Sequence, residues 1–327
     1  MRVRPPFEGV GCGSRILLPR RCSSGTSTCM PSESGTPWTV LRLLSWTKDY
    51  LAAGGADAPR LSAEVLLAHA LGCKRIDLYT RHDYRPSPAE LASYRGLVAR
   101  AGKAEPVAYL VGWKEFYSLR LKVTPDVLIP RPETEILVSE ALAHIHRFAA
   151  PQGAGPVRLW DVCTGSGCVA VAVASQAQEV QVLATDVSPA ALAVAAENAG
   201  AYGLAGRVRC RAADLLALPD DCGDFAEVQV VTANPPYVAE GDAVAESVRH
   251  EPPAALYAGK DGLCFIRRII VAAPRFLAPG GALVMEYGCG QADAVRDLII
   301  EGGAFDEPRI LRDAQAIERA AVAVKRR

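Results

Sequence analysis

From residue 157 onward the chain alternates short, β-branched apolar runs with longer segments whose apolar residues recur at helical spacing. The apolar runs predict strands at 157–162, 180–185, 207–212, 226–233, 281–287, 305–311 and 318–325. The segments between them predict helices at 168–177, 189–202, 261–277 and 290–301. Such alternation is typical of a parallel, doubly wound sheet, which here ends in a final pair of strands. We therefore expect an α/β fold of the Rossmann-like type.

A different pattern precedes this domain. Glycine and proline interrupt residues 37–110 into four or five short helical segments, so this region predicts a small all-α bundle. Thr36 is a candidate cap for the first helix, with Pro37 at its first position. Ser87 and Glu90 form a capping box that opens a later helix. The bundle carries ten Lys/Arg and seven Asp/Glu, and we interpret it either as a partner-docking domain or as a purely structural cap.

Two short alternating segments follow the bundle. Residues 113–117 and 119–123 alternate apolar and polar positions around Ser118, which predicts a β-hairpin, and a helix is expected from about Glu133 to Arg147. The predicted domain boundaries are 1–36 for a leader, 37–110 for the helical domain, 111–132 for the hairpin linker and 133–327 for the α/β domain.

The first 36 residues show neither helical nor strand periodicity. They are rich in arginine, with Glu8 as the single early acid, and they become rich in Ser, Thr and Cys. One interpretation is an organelle transit peptide, which would make the protein mitochondrial. The interpretation we favour is a disordered leader, with translation starting at Met30. In either case this segment lies outside the predicted fold.

Composition narrows the function classes. The chain has 36 basic and 36 acidic residues, and this balance argues against a protein that coats nucleic acid. No apolar run approaches the roughly 18 residues that a membrane span needs. The ten cysteines show no C-x-x-C pair and the five histidines no metal-binding spacing, so we expect no metal site and a reducing, cytoplasmic environment.

The strand at 226–233 leads into Asn234-Pro235-Pro236-Tyr237. The two prolines fix the local backbone, and open α/β sheets bind ligands at the carboxyl ends of their strands. The Asn234 side-chain oxygen and the Pro235 carbonyl could then accept both hydrogens of one –NH2 group, while Tyr237 stacks on the plane attached to it. The alternative is a proline-rich turn that merely ends a strand.

A second candidate site follows the first strand. There a glycine loop passes directly into a helix, whose free N–H groups suit a bound ligand. Asp186 ends the second strand, where a carboxylate can accept ribose hydroxyls, and Asp214 with Leu215 ends the third, beside the expected adenine. The G-x-G-x-x-G loop that holds a pyrophosphate is absent, which indicates S-adenosylmethionine rather than a dinucleotide. The predicted cofactor-binding residues are Cys163, Thr164, Gly165, Ser166, Gly167, Asp186, Asp214, Leu215 and Asn234.

With these motifs, residues 37–325 resemble the release factor glutamine methyltransferases (PrmC/HemK). The resemblance is carried by Glu105-Pro106, Tyr109-Leu110, Gly112, Ile129-Pro130-Arg131-Pro132-Glu133-Thr134-Glu135, the glycine loop, Asn234-Pro235-Pro236-Tyr237, Glu251-Pro252, Ala255-Leu256, Asp261-Gly262, Pro279-Gly280-Gly281 and Glu286. One departure is Cys163, which replaces the loop's usual first glycine and puts the close packing there in doubt.

The resemblance implies a class I methyltransferase domain of seven strands, preceded by a helical substrate-docking domain and a hairpin linker. It implies methyl transfer to the glutamine of the Gly-Gly-Gln motif in bacterial-type release factors. Asn234, Pro235, Pro236 and Tyr237 would be catalytic, with Arg131 and Glu133 as further substrate contacts. A sister family that modifies a ribosomal protein and the adenine amino methyltransferases remain alternatives. We expect a monomer without direct nucleic-acid contacts.

Overall fold

The computed structural model describes residues 37–148 and 156–327, so the predicted leader lies outside the described residues. The chain forms two compact units that divide between Gly102 and Lys103. None of the helices in the described ranges is long and apolar enough to cross a membrane.

The first unit is helical. Its helices are α1 (Val40–Ala53), α2 (Pro59–Ala70), α3 (Asp77–Thr80) and α4 (Pro88–Ala101). The capping box predicted at Ser87 and Glu90 is confirmed, because each side chain bonds the other residue's backbone N–H. The predicted start of the first helix is wrong: Thr39 is its N-cap and accepts from the Arg42 N–H at 3.4 Å. Pro37 therefore precedes the helix, since a threonine two residues later supplies the capping hydroxyl.

The second unit begins with α5 (Val107–Val111) and a hairpin of β1 (Trp113–Phe116) and β2 (Leu119–Lys122). The hairpin turns through Tyr117 and Ser118, both with positive φ (48° and 62°), the geometry whose twist matches paired strands. A short 3₁₀ turn, Pro132–Thr134, then leads into α6 (Glu135–Phe148).

A seven-stranded sheet forms the centre of the second unit, which confirms the predicted fold class. Its strands lie in the order β5-β4-β3-β6-β7-β9-β8, and β9 runs antiparallel to both β7 and β8. The strands are β3 (Val157–Val162), β4 (Val180–Asp186), β5 (Val208–Ala212), β6 (Val228–Ala233), β7 (Leu277–Glu286), β8 (Arg309–Arg312) and β9 (Glu318–Val324). The helices that cover the sheet are α6, α7 (Cys168–Gln176), α8 (Pro189–Ala201), α9 (Cys264–Ala272) and α10 (Ala292–Glu301). Chain order reverses between β3 and β6, and such a switch point opens a crevice at the strand ends.

The largest error in the sequence-based boundaries concerns the predicted helix 261–277. Helix α9 ends at Ala272 and a 3₁₀ turn containing Pro274 follows, since proline cannot donate the N–H that continues a helix. Strand β7 then begins at Leu277, four residues before its predicted start, and the pairing with β6 shifts register near Val228. The predicted boundary between helix and strand was therefore in the wrong place.

Candidate active site

An open cleft lies at the switch point between β3 and β6. It holds about 1110 Å³ of space outside the protein atoms, part of it continuous with solvent. Its walls are the glycine loop after β3, the ends of β4, β5 and β6, and the segment that precedes α6. The sheet topology thus brings the two predicted sites into one crevice.

The glycine loop turns sharply between β3 and α7. Gly165 (φ 54°) and Gly167 (φ 77°) take left-handed backbone conformations, and a Cβ at Gly167 would approach the Ala195 Cβ to 3.0 Å. Cys163 is also left-handed (φ 57°). The glycine usual at position 163 is therefore explained by backbone conformation, because a residue with a Cβ is strained there.

Asp186 holds this loop in place. Its carboxylate accepts the Gly165 N–H at 2.9 Å and the Ser188 N–H at 3.0 Å. A carboxylate has about four lone-pair sites, so Asp186 keeps acceptor capacity for hydroxyl groups of a ligand. The neighbouring Val187 lines the cleft and is 62% exposed, and it offers an apolar surface beside that carboxylate.

Asp161 lies deeper, within β3. It is buried and accepts hydrogen bonds from the hydroxyls of Thr164 (2.5 Å) and Thr232 (2.7 Å). Burial raises the pKa of this carboxyl to about 6, although the two hydroxyls favour its charged form. The two bonds join the glycine loop to β6 across the floor of the cleft.

Asp214 lies at an exposed part of the cleft, two residues after the end of β5. Its carboxylate pairs with the Arg268 guanidinium of α9 at 2.6 Å. The next residue, Leu215, is buried with a left-handed backbone (φ 51°) and lines the cleft. The end of β5 therefore presents an acid above an apolar side chain.

Asn234 occupies the end of β6 on the other side of the cleft. Its Nδ2 donates to the Thr134 hydroxyl at 3.2 Å, whereas its Oδ1 is buried and has no hydrogen-bond partner. Leaving a buried acceptor unsatisfied costs about 1–3 kcal/mol. Such a group is expected where a ligand completes the bonding.

Tyr237 is fixed from several sides. Its hydroxyl donates to Glu286 Oε1 at 3.3 Å, and its carbonyl accepts from Gln291 Nε2 at 3.0 Å. A Cβ at Gly262 would lie only 2.3 Å from that same carbonyl oxygen, and one at Gly288 would lie 3.2 Å from the tyrosine ring. These glycines allow the segment before α9 and the turn after β7 to pack against Tyr237.

Arg131 lines the cleft and forms an ion pair with the buried Glu251. Glu251 also accepts the Ile129 N–H at 3.0 Å. One carboxylate therefore ties the segment before α6 to the loop that carries Pro252, another residue lining the cleft.

Comparison with known proteins identifies the family. A model described as the PrmC N-terminal domain matches residues 42–112, and one described as a methyltransferase domain matches residues 160–250. The chain is 40% identical to the release factor glutamine methyltransferase of Rhodopirellula baltica, over 88% of this chain and 97% of that protein. The protein of the same name from Bordetella pertussis is 45% identical, over 83% of this chain and 96% of that one.

This chain belongs to the release factor glutamine methyltransferase family.

Solved structures support the fold of this family member at a greater distance. The hMettl16 catalytic domain in complex with MAT2A 3'UTR hairpin 1 superposes with a TM-score of 0.53 at 14% identity, over 71% of this chain and 83% of that one. The complex of the same domain with hairpin 6 gives a TM-score of 0.51 at 16% identity, over 70% and 81% of the two chains. At such low identity the likeness concerns the class I methyltransferase fold alone.

Most of the sequence-predicted residues of the family member line one cleft. These are Arg131, Cys163, Thr164, Gly165, Ser166, Asp186, Asp214, Leu215, Asn234 and Pro236. Four predicted residues do not line it in the described structure, namely Glu133, Gly167, Pro235 and Tyr237. The tyrosine hydroxyl bonds Glu286 below the cleft, and Gly167 packs against α8. Direct ligand contacts by these four, and by the ten that line the cleft, stay predictions.

Sequence reasoning assigned no role to several buried polar residues that organise the site. Asp161, Thr134 and Glu286 are each less than 3% exposed, and Asn198 of α8 is as well. The Asn198 side chain bonds the Ser166 carbonyl at 2.8 Å and both backbone groups of Lys122, which joins the glycine loop to β2. The available signal was an acid or amide within an otherwise apolar strand or helix face, a position that is costly unless it is paired.

Within residues 37–148 and 156–327, no group of three His, Cys, Asp or Glu side chains is placed to hold a metal ion.

Proposed function

We propose that this protein transfers the methyl group of S-adenosylmethionine to the side-chain amide nitrogen of the glutamine in the Gly-Gly-Gln motif of peptide chain release factors. The observation that carries the proposal is the unpartnered Asn234 Oδ1, a buried acceptor at the cleft. It suits a donor of the –NH2 type, and family membership supports a glutamine amide as that donor. A turn that merely ended the strand would gain nothing from a buried, unsatisfied oxygen.

The other half of the cleft fits the nucleoside part of S-adenosylmethionine. Asp186 has acceptor capacity left for ribose hydroxyls, and the apolar side chains of Val187 and Leu215 suit the faces of an adenine ring. Asp214 can accept a hydrogen bond from the adenine amino group while its carboxylate remains paired with Arg268. The carboxylate of Asp161 favours a positive charge in the cleft.

When bound, S-adenosylmethionine supplies an electrophilic methyl group on a sulfonium centre. The protein's own part is to orient the weakly nucleophilic amide. Asn234 Oδ1 and the Pro235 carbonyl, which we call the amide ledge, would accept its two N–H groups and stabilise the positive charge that develops on nitrogen. Such positioning can supply on the order of 7–11 kcal/mol, so no nucleophilic residue is required. The proton leaves to water after transfer.

We assign substrate docking to the helical unit. Several large apolar or aromatic side chains on it are exposed, and they offer a contact surface: Leu41, Leu61, Ile76, Tyr79 and Tyr84. Arg131 and Glu133, in the segment before α6, would contact the release factor near its reactive glutamine. We further propose that the enzyme acts as a monomer in the cytoplasm, or in mitochondria if residues 1–29 are a transit peptide.

The direct test is transfer of a labelled methyl group from S-adenosylmethionine to a purified bacterial-type release factor. We expect the label on the glutamine of the Gly-Gly-Gln motif. Peptide mass spectrometry would locate it there as a mass increase equal to one CH2 unit on that residue. A release factor in which that glutamine is replaced by asparagine is the matched control, because it keeps the amide but shortens the side chain.

The same assay separates the alternatives. A ribosomal protein substrate and adenine-containing DNA or RNA are offered under identical conditions. Label on either of these and none on the release factor would overturn the proposal. Label on the release factor at a residue other than this glutamine would overturn the assignment of the methylated group.

A further inference from the structure

One buried carboxylate is linked by hydrogen bonds to both ends of the Asn234–Tyr237 segment. Glu286, the last residue of β7, is 2% exposed. Its Oε2 accepts the Thr134 hydroxyl at 2.7 Å, and its Oε1 accepts the Tyr237 hydroxyl at 3.3 Å. The Thr134 oxygen in turn accepts from Asn234 Nδ2 at 3.2 Å. Asn234 is thus connected to Glu286 through one hydroxyl.

The direction of these bonds follows from the chemistry of the groups. An ionised carboxylate can only accept hydrogen bonds, so the Thr134 hydroxyl must donate its one proton to Glu286. The Thr134 oxygen can then only accept from Asn234, which turns the Nδ2 of the amide toward it. The Asn234 Oδ1 is consequently the end of the amide left without a protein partner.

We propose that Thr134 and Glu286 are positioning residues that fix which end of the Asn234 amide faces the substrate, and thereby make the amide ledge an acceptor. The proposal rests on the function proposed above, since it assigns the ledge a substrate –NH2 group. If Glu286 is protonated, it can donate to Thr134 instead. The threonine can then donate to Asn234 Oδ1. The reversed amide would present its own two N–H donors to the –NH2 end of the substrate amide, where no acceptor faces them.

Protonation of Glu286 falls in an accessible pH range. Burial raises the pKa of its carboxyl to about 7, against the hydroxyls of Thr134 and Tyr237, which favour the charged form. Glu133 on the 3₁₀ turn raises this pKa further, while Arg319 on β9 lowers it. On α7, Cys168 interacts with the same charge. Glu133, Arg319 and Cys168 should stay unchanged in any variant used to test the pH dependence.

The test compares two substitutions of one buried residue. Thr134→Val keeps the shape but removes the hydroxyl, and Thr134→Ser keeps the hydroxyl. We expect Thr134→Val to lower kcat about tenfold or more, because a misoriented group next to the reacting atoms is costly. The KM for release factor and the affinity for S-adenosylmethionine should stay within about twofold of wild type. Thr134→Ser should retain most of the wild-type kcat.

Thr185→Val is the matched control. Thr185 is a fully buried threonine of β4 whose hydroxyl accepts from Trp160 Nε1 at 2.9 Å. The Thr185→Val variant loses a buried hydrogen-bond partner, as Thr134→Val does. Its melting temperature should therefore fall by a similar amount, while its kcat stays near that of the wild type. A kcat loss in the control equal to that of Thr134→Val would overturn the positioning role, as would an equal loss in Thr134→Ser.

A nuclear magnetic resonance titration tests the connection without any activity. In the wild-type protein the side-chain amide resonances of Asn234 should shift with pH at the pKa of Glu286, and in Thr134→Val they should not. Absence of that titration in the wild type, or its persistence in Thr134→Val, would overturn the proposal. This readout remains valid if the wild-type protein methylates no release factor, an outcome that would refute only the proposed function.

Discussion

The two halves of the cleft differ in whether their polar groups have hydrogen-bond partners within the protein. In the acidic half, formed by Asp161, Asp186 and Asp214, every carboxylate is bonded to protein hydroxyls, N–H groups or a guanidinium. In the amide ledge, the Asn234 Oδ1 is buried and has no partner. The acidic half is therefore stabilised by its own contacts, while the ledge is complete only with a ligand.

This difference bears on how each half would bind its ligand. A carboxylate can accept additional donors without losing those it has, so the proposed cofactor would bind to the acidic half at little cost in reorganisation. A neutral amide oxygen in a rigid, partly buried segment is available for one class of donor. If the proposed function is correct, the unsatisfied oxygen lowers stability and makes the ledge selective for a donor, as strained or unsatisfied groups at functional sites commonly do.

The largest effect should follow from removing the ledge acceptor. We expect Asn234→Ala to lower turnover by about a hundredfold or more, since losing one preorganised polar group at a site of developing charge costs that much. Affinity for S-adenosylmethionine, measured by calorimetry, should change far less. Turnover at the wild-type rate in this variant would show that the unpartnered oxygen has no catalytic part.

Asn234→Asp sharpens the same comparison. It keeps an acceptor of equal size but adds a negative charge beside the position of the sulfonium. That charge favours the bound cation more than the transition state, in which the positive charge disperses. We expect cofactor to bind at least as well as in the wild type while turnover falls. Weaker cofactor binding in this variant would contradict the expected position of the charge.

In the acidic half, Asp186→Ala should weaken cofactor affinity about ten- to a hundredfold, because charged hydrogen bonds are worth about 1.5–3 kcal/mol. The change also removes the acceptor of the Gly165 and Ser188 N–H groups, so the melting temperature should fall. Asp186→Asn keeps one acceptor oxygen, so its cofactor affinity should lie between those of the wild type and Asp186→Ala. Unchanged affinity by calorimetry would remove Asp186 from the cofactor site.

Glu286→Gln tests the stability cost beneath the ledge. Burial raises the pKa of Glu286 from 4.5 to about 7, so between these pH values the folded state keeps a proton that the unfolded chain has released. The stabilisation this provides is fully present below pH 4.5 and is lost as pH rises through about 7, a change on the order of 3 kcal/mol. A glutamine cannot titrate. The melting temperature of the variant minus that of the wild type should therefore increase from pH 5 to pH 8. A difference that stays constant over this range would contradict the expectation.

The smallest effect is expected for Cys163→Gly in the glycine loop. Glycine relieves the left-handed strain, worth about 1–2 kcal/mol, but it costs about 0.5–1 kcal/mol in backbone entropy and loses the packing of the thiol. The free energy of unfolding should change by less than about 1 kcal/mol in denaturant titrations. Cys163→Val, a β-branched residue in the same conformation, should be clearly destabilised, and equal stability of the two variants would exclude strain at this position.

The parts of the site that the sequence predicted are those encoded locally. The β-branched run of β6 and the prolines after it placed Asn234 at a strand end, and glycines with a following helix placed the loop after β3. Each motif lies within a few consecutive residues, and the parallel topology brings their ends together without further information.

The parts that it missed depend on tertiary contacts. Thr134 and Glu286 are 152 residues apart in the chain, and only packing of the segment before α6 on β7 joins them. Asp161 lies just before the glycine loop, yet its bond to Thr232 required the pairing of β3 with β6. The predicted end of α9 was wrong for a local reason. The apolar run continues through the turn that contains Pro274, so the hydrophobic pattern does not mark the boundary between helix and strand.

Gly262 gives the site a vulnerability at a position that contacts neither predicted ligand. Its backbone is left-handed (φ 72°), and the Cβ of any side chain there would lie only 2.3 Å from the Tyr237 carbonyl oxygen. Because a backbone atom cannot rotate away, we expect the backbone to shift there and to disturb the bond between Tyr237 and Glu286. Random mutation can therefore abolish this enzyme's methylation from a residue that a map of ligand contacts would classify as neutral. In genetic terms, we expect position 262 to accept only glycine.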